Sequence, residues 1–219
     1  MSRMPSARRA YHHGDLRNAL VTAAVRLIED GGTATFSLRE AARDVGVSAN
    51  AAYRHFDDKS DLMTAAAFDG VGRLAAHLRQ ATANVTGRRR HVPASVTRFQ
   101  AVGRAYVSFA LAHPELFRLM FGECGVCRMP EERAGVDLDS PWTILSAALD
   151  ALVDDGVLPP ERRPGAELRA WSVVHGFASL ALDGLVPASR GDADEALTAL
   201  LDFTVTGLCG TMPETRRRS

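Results

Sequence analysis

Residues 36–56, "FSLREAARDVGVSANAAYRHF", leave the chain few ways to fold. Ser37 and Glu40 stand at the spacing of a capping box, which opens a helix. Gly46 stops that helix early, and Ser48 offers a new N-cap directly after it. The pattern predicts two short helices joined by a tight turn. Gly46 supplies the left-handed backbone that a steep turn requires. Ala41, Ala42 and Ala52 are small enough to let the helices approach closely, and Val45, Val47 and Phe56 seal the underside. Ala52 and Phe56, four apart, share the inward side.

The rest of the chain repeats the helical theme. Leu16, Leu20, Ala23, Ala24, Leu27 and Ile28 recur at helical spacing, predicting a first helix over 15–30 that stops at Gly31 and Gly32. The third helix is expected to run from Ser48 to about Phe56, and a long one from Lys59 to Ala83. Further helices are predicted over 94–112, the stretch "PELFRLMF", 140–154, 166–185 and 193–208. No segment alternates as a strand would. With 46 % hydrophobic and only 6 % aromatic residues, the chain can bury a real core of packed helices. The expected fold is all-α: a small three-helix domain over 1–58, a larger helical domain over 59–210, and a tail over 211–219. No apolar run could span a bilayer, and the N-terminal residues contain no apolar signal-like stretch, so a cytoplasmic protein is expected. Three cysteines give no disulfide framework.

Net charge is zero, but distribution matters more than the sum for a nucleic-acid partner. Residues 1–13 carry Arg3, Arg8 and Arg9 and no acid, and Lys59 is the chain's single lysine. In a helix-turn-helix the second helix enters the DNA major groove by its first residues. Asn50 can pair with a base edge, and the methyl of Ala49 or Ala51 can meet a thymine methyl. Tyr53, Arg54 and His55 can reach flanking phosphates. Ser37, Arg39, Ser48 and Lys59 are placed to clamp the backbone walls. The bland alternative is a helical hairpin with a solvated basic face.

Phe36, Ser37, Ala41, Gly46, Val47, Ser48, Tyr53, His55, Phe56, Lys59 and Leu62 together resemble the DNA-binding domain of the TetR/AcrR family of bacterial regulators. "HPELFRLMF" at 113–121, with Trp171, His175 and Gly176, is similar to the family subset with a Trp-His-Gly C-terminal domain. The resemblance implies a homodimer that represses transcription at a double-stranded (pseudo)palindromic operator and releases it when a small effector binds. Ala49 and Ala51 are small, so shape readout is expected to add to base contacts.

Two regulatory features follow from side-chain pattern. Leu168, Trp171, Ala178, Leu182 and Leu185, with Leu197, Leu201, Thr204 and Leu208, form seams at bundle spacing, predicting a dimer interface. Phe99, Tyr106, Phe109, Phe117, Phe121, Trp142, His175 and Phe177 suggest a pocket for a largely apolar effector, with Tyr106 and His175 as orienting groups. Cys124 and Cys127 form a lone C-x-x-C in a predicted loop. They keep open a redox sensor or half a zinc site, and the alternative reading of the chain is a helical ligand-binding or redox-sensing protein whose helix-turn-helix no longer binds DNA. The chain carries no P-loop, no G-x-S-x-G and no second metal-ligand pair, so no catalytic, cofactor or metal site is predicted.

Overall fold

A computed structural model of the chain describes residues 13–83, 85, 92–122, 140–186 and 190–210. Among these residues the elements are helices, and none is long and apolar enough to cross a membrane. In order they are α1 (His13–Thr35), α2 (Leu38–Val45), α3 (Ala49–Ala52), α4 (Lys59–Ala83) and α5 (Ala94–Ala112). Then come α6 (Pro114–Phe121), α7 (Pro141–Asp154), a short 3-10 turn (Pro160–Arg162), α8 (Ala166–Leu182) and α9 (Arg190–Cys209).

The chain divides into two compact units. The first holds residues 13–70 and 115–122; the second holds 71–83, 85, 92–114, 140–186 and 190–210. The division is not the contiguous one expected from sequence. The boundary falls inside α4 rather than before it, and α6 groups with the first unit. Its apolar residues explain the placement: Leu116, Phe117, Leu119 and Met120 are all buried there.

In the first unit α1 lies against α2, and α2 against α3. The α1 helix runs past its predicted end to Thr35, but Gly32 breaks the helical geometry with φ of 74°. Ser37 caps α2: its hydroxyl oxygen accepts from Glu40 N at 3.2 Å, and the hydroxyl itself donates to the Glu40 carboxylate at 3.0 Å. Gly46 then adopts φ of 79°. Its N–H donates to Arg43 O at 3.1 Å and Val47 N–H to Ala42 O at 2.9 Å, the Schellman pairing that uses up helix-end carbonyls. Any L side chain at 46 would carry a left-handed penalty of roughly 1–2 kcal/mol. Ala41, Ala42, Ala52 and Phe56 are buried beneath this turn, as their spacing predicts.

In the second unit α7, α8 and α9 all lie against α5. That explains why α5 is buried on most of its circumference, from Phe99 through Ala110. Gly103 marks the closest approach: a Cβ there would sit 2.5 Å from Leu201 Cδ2 of α9 and 3.3 Å from Val174 Cγ1 of α8. Polar ties fix the same helices. Gln100 donates to Asp202 at 2.6 Å, and Arg104 to Thr198 at 2.9 Å, joining α5 to α9. Trp171 Nε1 of α8 donates to the Tyr106 hydroxyl of α5 at 3.0 Å, and that hydroxyl lies 2.9 Å from His175 Nδ1. With its oxygen already accepting from Trp171, Tyr106 is set to donate its proton to a neutral His175 protonated on Nε2. Burial pushes the His175 imidazole below its ordinary pKa, in keeping with that neutral form.

A further network secures the entry to α8. Arg163 pairs with Asp150 at 2.7 Å and with Glu167 at 2.7 Å, while Ser146 donates to Glu167 at 2.9 Å. Burial works against the Glu167 charge. Its backbone hydrogen bond, Arg163 and Ser146 outweigh that cost and hold the carboxyl below its usual range.

Two measurements check this packing. Gly103→Ala forces Leu201 aside, and such overpacking costs about 1–3 kcal/mol. Urea unfolding should show the loss as a lowered midpoint; an unchanged midpoint contradicts the close contact. His175, lowered in the folded state, binds fewer protons folded than unfolded. Its contribution to stability is therefore full above about pH 6.5 and is lost as pH falls below that value toward the lowered folded pKa. Melting temperatures taken from about pH 7.5 to about pH 5.5 should fall more steeply for the wild type than for His175→Gln. Equal slopes would mean that His175 titrates as it does in the unfolded chain.

Candidate nucleic-acid interface

The Gly46 turn sets α3 immediately after α2. Ser48 caps α3, its oxygen accepting Ala51 N–H at 3.2 Å. The regular helix ends at Ala52, four residues short of the predicted limit near Phe56. The chain then tightens: His55 N–H and Phe56 N–H both donate to Ala52 O, at 2.9 and 3.1 Å. This sharing draws Phe56 back beneath Ala52 and swings Tyr53 and Arg54 outward. Tyr53 is 45 % exposed although it is a large ring, and Ser48, Asn50 and Arg54 are exposed beside it. Ala49, Ala51 and His55 are half-buried.

The surface therefore presents an amide, a phenol and a guanidinium within five consecutive residues, 50–54, backed by small side chains. Arg39 of α2 adds a second exposed guanidinium. Neither Arg39 nor Arg54 has an ion-pair partner among the described residues, so each can neutralise a phosphate without first breaking a pair. Arg17 of α1 stacks on the Phe56 ring, its guanidinium carbon 4.9 Å from the centroid, which places another cation over the same turn.

Three of the predicted phosphate contacts also carry structural duties. The Ser37 hydroxyl proton is spent on Glu40, leaving Ser37 no proton to donate to a phosphate. Ser48 oxygen is engaged as the α3 cap. Lys59 is half-buried, and its ammonium donates to Thr33 O at 2.7 Å while lying 5.9 Å from the Phe36 ring centroid. It ties the start of α4 to the end of α1; its two other N–H groups are what a phosphate could use. The basic arm over 1–12 lies outside the described residues, as do Cys124 and Cys127.

The predicted effector residues divide between the units. Phe117 and Phe121 belong to the first, where their rings meet at a tilt of 55° with centroids 4.8 Å apart. Phe99, Tyr106 and Phe109 are buried core positions of α5, and Phe177 is half-buried on α8. Trp142 is 48 % exposed and meets the Trp171 edge at 6.2 Å. Tyr106, His175 and Trp142 are linked into one cluster through Trp171. The open groove of the second unit is lined by none of the eight. Arg79 and Arg98, which do line it, carry no helical-period signal that sequence reading could have used.

The predicted dimer seam is largely turned inward. Ala178, Leu197, Leu201, Thr204 and Leu208 are buried within the single chain, so they pack its own core and have little surface left for a partner. Trp171 and Leu182 are half-buried, while Leu168 and Leu185 remain 59 % and 71 % exposed. The outward face of α9 instead carries Phe203, 70 % exposed, and that of α8 carries Leu180, 49 % exposed. Phe203 belongs to neither seam; a large apolar residue off the core stripe was its sequence signal.

Comparisons with known proteins agree with this arrangement. Residues 20–66 match the model of bacterial regulatory proteins of the tetR family, and residues 99–204 match that of the tetracyclin repressor-like C-terminal domain. A search of curated proteins gives no match. Among solved structures, a protein of unknown function from Rhodococcus sp. RHA1 is 33 % identical, with 93 % of this chain and 100 % of that one covered and a TM-score of 0.74. A TetR family regulator from Marinobacter aquaeolei VT8 is 19 % identical over 85 % of this chain and 94 % of its own, with a TM-score of 0.59. A TetR/AcrR regulator from Thermobifida fusca YX-ER1 is 18 % identical over 93 % and 100 %, also at 0.59. The last two share the fold. With both family models in chain order, the chain belongs to the TetR/AcrR family of DNA-binding transcriptional regulators.

Proposed function

We propose that the chain is a cytoplasmic, ligand-responsive repressor that holds a (pseudo)palindromic operator as a homodimer. The observation that carries this reading is the exposure of Asn50, Tyr53 and Arg54 on a capped turn whose inward residues Ala41, Ala42, Ala52 and Phe56 are buried, with Val45 and Val47 half-buried beside them. A merely structural hairpin has no use for an exposed tyrosine beside unpaired guanidiniums. Asn50 is the base reader, with Ala49 and Ala51 allowing close approach. Tyr53, Arg54, Arg39 and His55 hold the phosphates, aided by Lys59.

Dimerisation uses the outward faces of α8 and α9. Leu168, Ser172, Gly176 and Leu180 recur four apart along α8, pairing large apolar groups with small ones that permit close contact. Phe203 supplies the anchor from α9. An effector bound in the second unit alters operator affinity only through a different affinity for the two spacings of the reading heads. Among the described residues the chain crosses between the units inside α4 and at the start of α6, so both of these crossings are available to transmit that difference.

A gel-shift titration on the DNA flanking the chain's own gene tests the reading. Tyr53→Phe and Arg54→Ala should each weaken binding to all sequences, with Arg54→Ala lowering the salt slope by about one. Asn50→Ala should relax preference at one base pair, worth about 1–3 kcal/mol. Full affinity in a Tyr53→Phe, Arg54→Ala double variant would remove this face from the interface. Phe203→Glu should yield a folded monomer in sedimentation, with operator binding reduced accordingly; a dimer that persists at low protein concentration would rule out the α8–α9 outer face.

A further inference from the structure

The second unit carries an open groove of about 350 Å³ walled by the last turns of α4, the first turns of α5 and the middle of α7. This volume is within the range of small-molecule sites, about 300–1,000 Å³. Its apolar lining, or floor, comes from Ala83, Ile144, Ala147 and Ala148. Arg79 from α4 and Arg98 from α5 stand at its edge, and both are exposed. No acidic side chain among the described residues lines it. Thr82 donates its hydroxyl to Leu78 O at 3.1 Å and Arg79 O at 3.0 Å, so its proton is engaged within α4. Arg98 makes no ion pair with any described residue.

Two cations above an apolar floor select a molecule with two ends. A guanidinium binds a carboxylate through paired N–H donors, and this pairing is stronger than a neutral hydrogen bond. A neutral apolar compound would fill the floor but leave the arginines unused. A small inorganic anion would meet the arginines but leave the floor wet. We propose that this groove binds an amphipathic organic acid, its carboxylate held by Arg98 and Arg79 and its hydrocarbon body laid along Ile144, Ala147 and Ala148. The inference deepens the reading of the second unit as the effector-binding one: it adds a negative charge to an effector expected to be largely apolar. Binding itself does not depend on the operator.

Calorimetric titration of the full chain with octanoate, 1-octanol and acetate separates the possibilities. Octanoate should bind about tenfold or more tightly than either comparison compound. Arg98→Gln should weaken octanoate by about tenfold and leave 1-octanol unchanged. Ala147→Trp, at an exposed position on the floor, should block octanoate while circular dichroism shows an unchanged helical fold. Equal binding of octanoate and 1-octanol, equal binding of octanoate and acetate, or an Arg98→Gln variant indistinguishable from wild type would each overturn the proposal. Operator affinity without ligand is measured on the same samples. Its absence in the wild type refutes the DNA reading but not the groove, whereas intact operator binding with no octanoate isotherm refutes the groove alone.

Discussion

Everything the first unit presents to its surroundings depends on one backbone conformation, the left-handed Gly46. With that residue at φ of 79°, carbonyls at the end of α2 are satisfied by Gly46 and Val47, and only two residues separate α2 from the next cap. Ser48 can then cap a new helix. Ala41, Ala42 and Ala52 meet without side chains large enough to separate the two helices. A bulkier residue at any of these positions would move α3, and with it the amide of Asn50. The exposure of Tyr53 is a consequence of the same turn, because Phe56 must fold back to cover Ala52.

The second unit depends on a different constraint, the close approach of helices around α5. Gly103 lets Leu201 and Val174 pack against backbone, and the Tyr106–His175–Trp171 hydrogen bonds fix the rotation of α8 relative to α5. Satisfying this core consumes most of the large apolar groups. What remains outside it is informative: Phe203 on α9, Leu168 and Leu180 on α8, and the groove bearing Arg79 and Arg98. Each marks chemistry that the core did not absorb.

Much of the fold was legible because helices announce themselves by caps and breakers. Ser37, Glu40, Gly46 and Ser48 act as their spacing predicts, and Ala52 and Phe56 face inward. Helix ends were less legible. The α3 helix stops at Ala52 because tertiary packing of Phe56 overrides the helical continuation, and α1 continues past Gly31 to a kink that spacing does not encode. Periodicity also cannot say which of two apolar stripes faces a partner. Leu197, Leu201 and Leu208 form a regular seam, yet they pack at home, and the exposed Phe203 lies off that seam. Lys59 shows the same limit in a polar setting: its charge suggested a phosphate, but half-burial beside Phe36 and Thr33 gives it a joint to hold first. The placement of α6 with the first unit, and the convergence of Arg79 with Arg98, required three-dimensional contacts between residues far apart in sequence.

The central claim is that Asn50 sits in the major groove while two copies of the chain bind one site. Affinity cleavage tests it most directly. An Asn50→Cys variant, with the natural cysteines replaced by serine, is joined to an iron chelate and bound to the operator. The account predicts cuts at two places, related by the operator's two-fold symmetry and separated by about one or more helical turns of DNA, roughly 34–36 Å apart or a multiple of that. A protein that binds and protects the site while producing no cleavage from position 50, or a single cut without a symmetric mate, would contradict it.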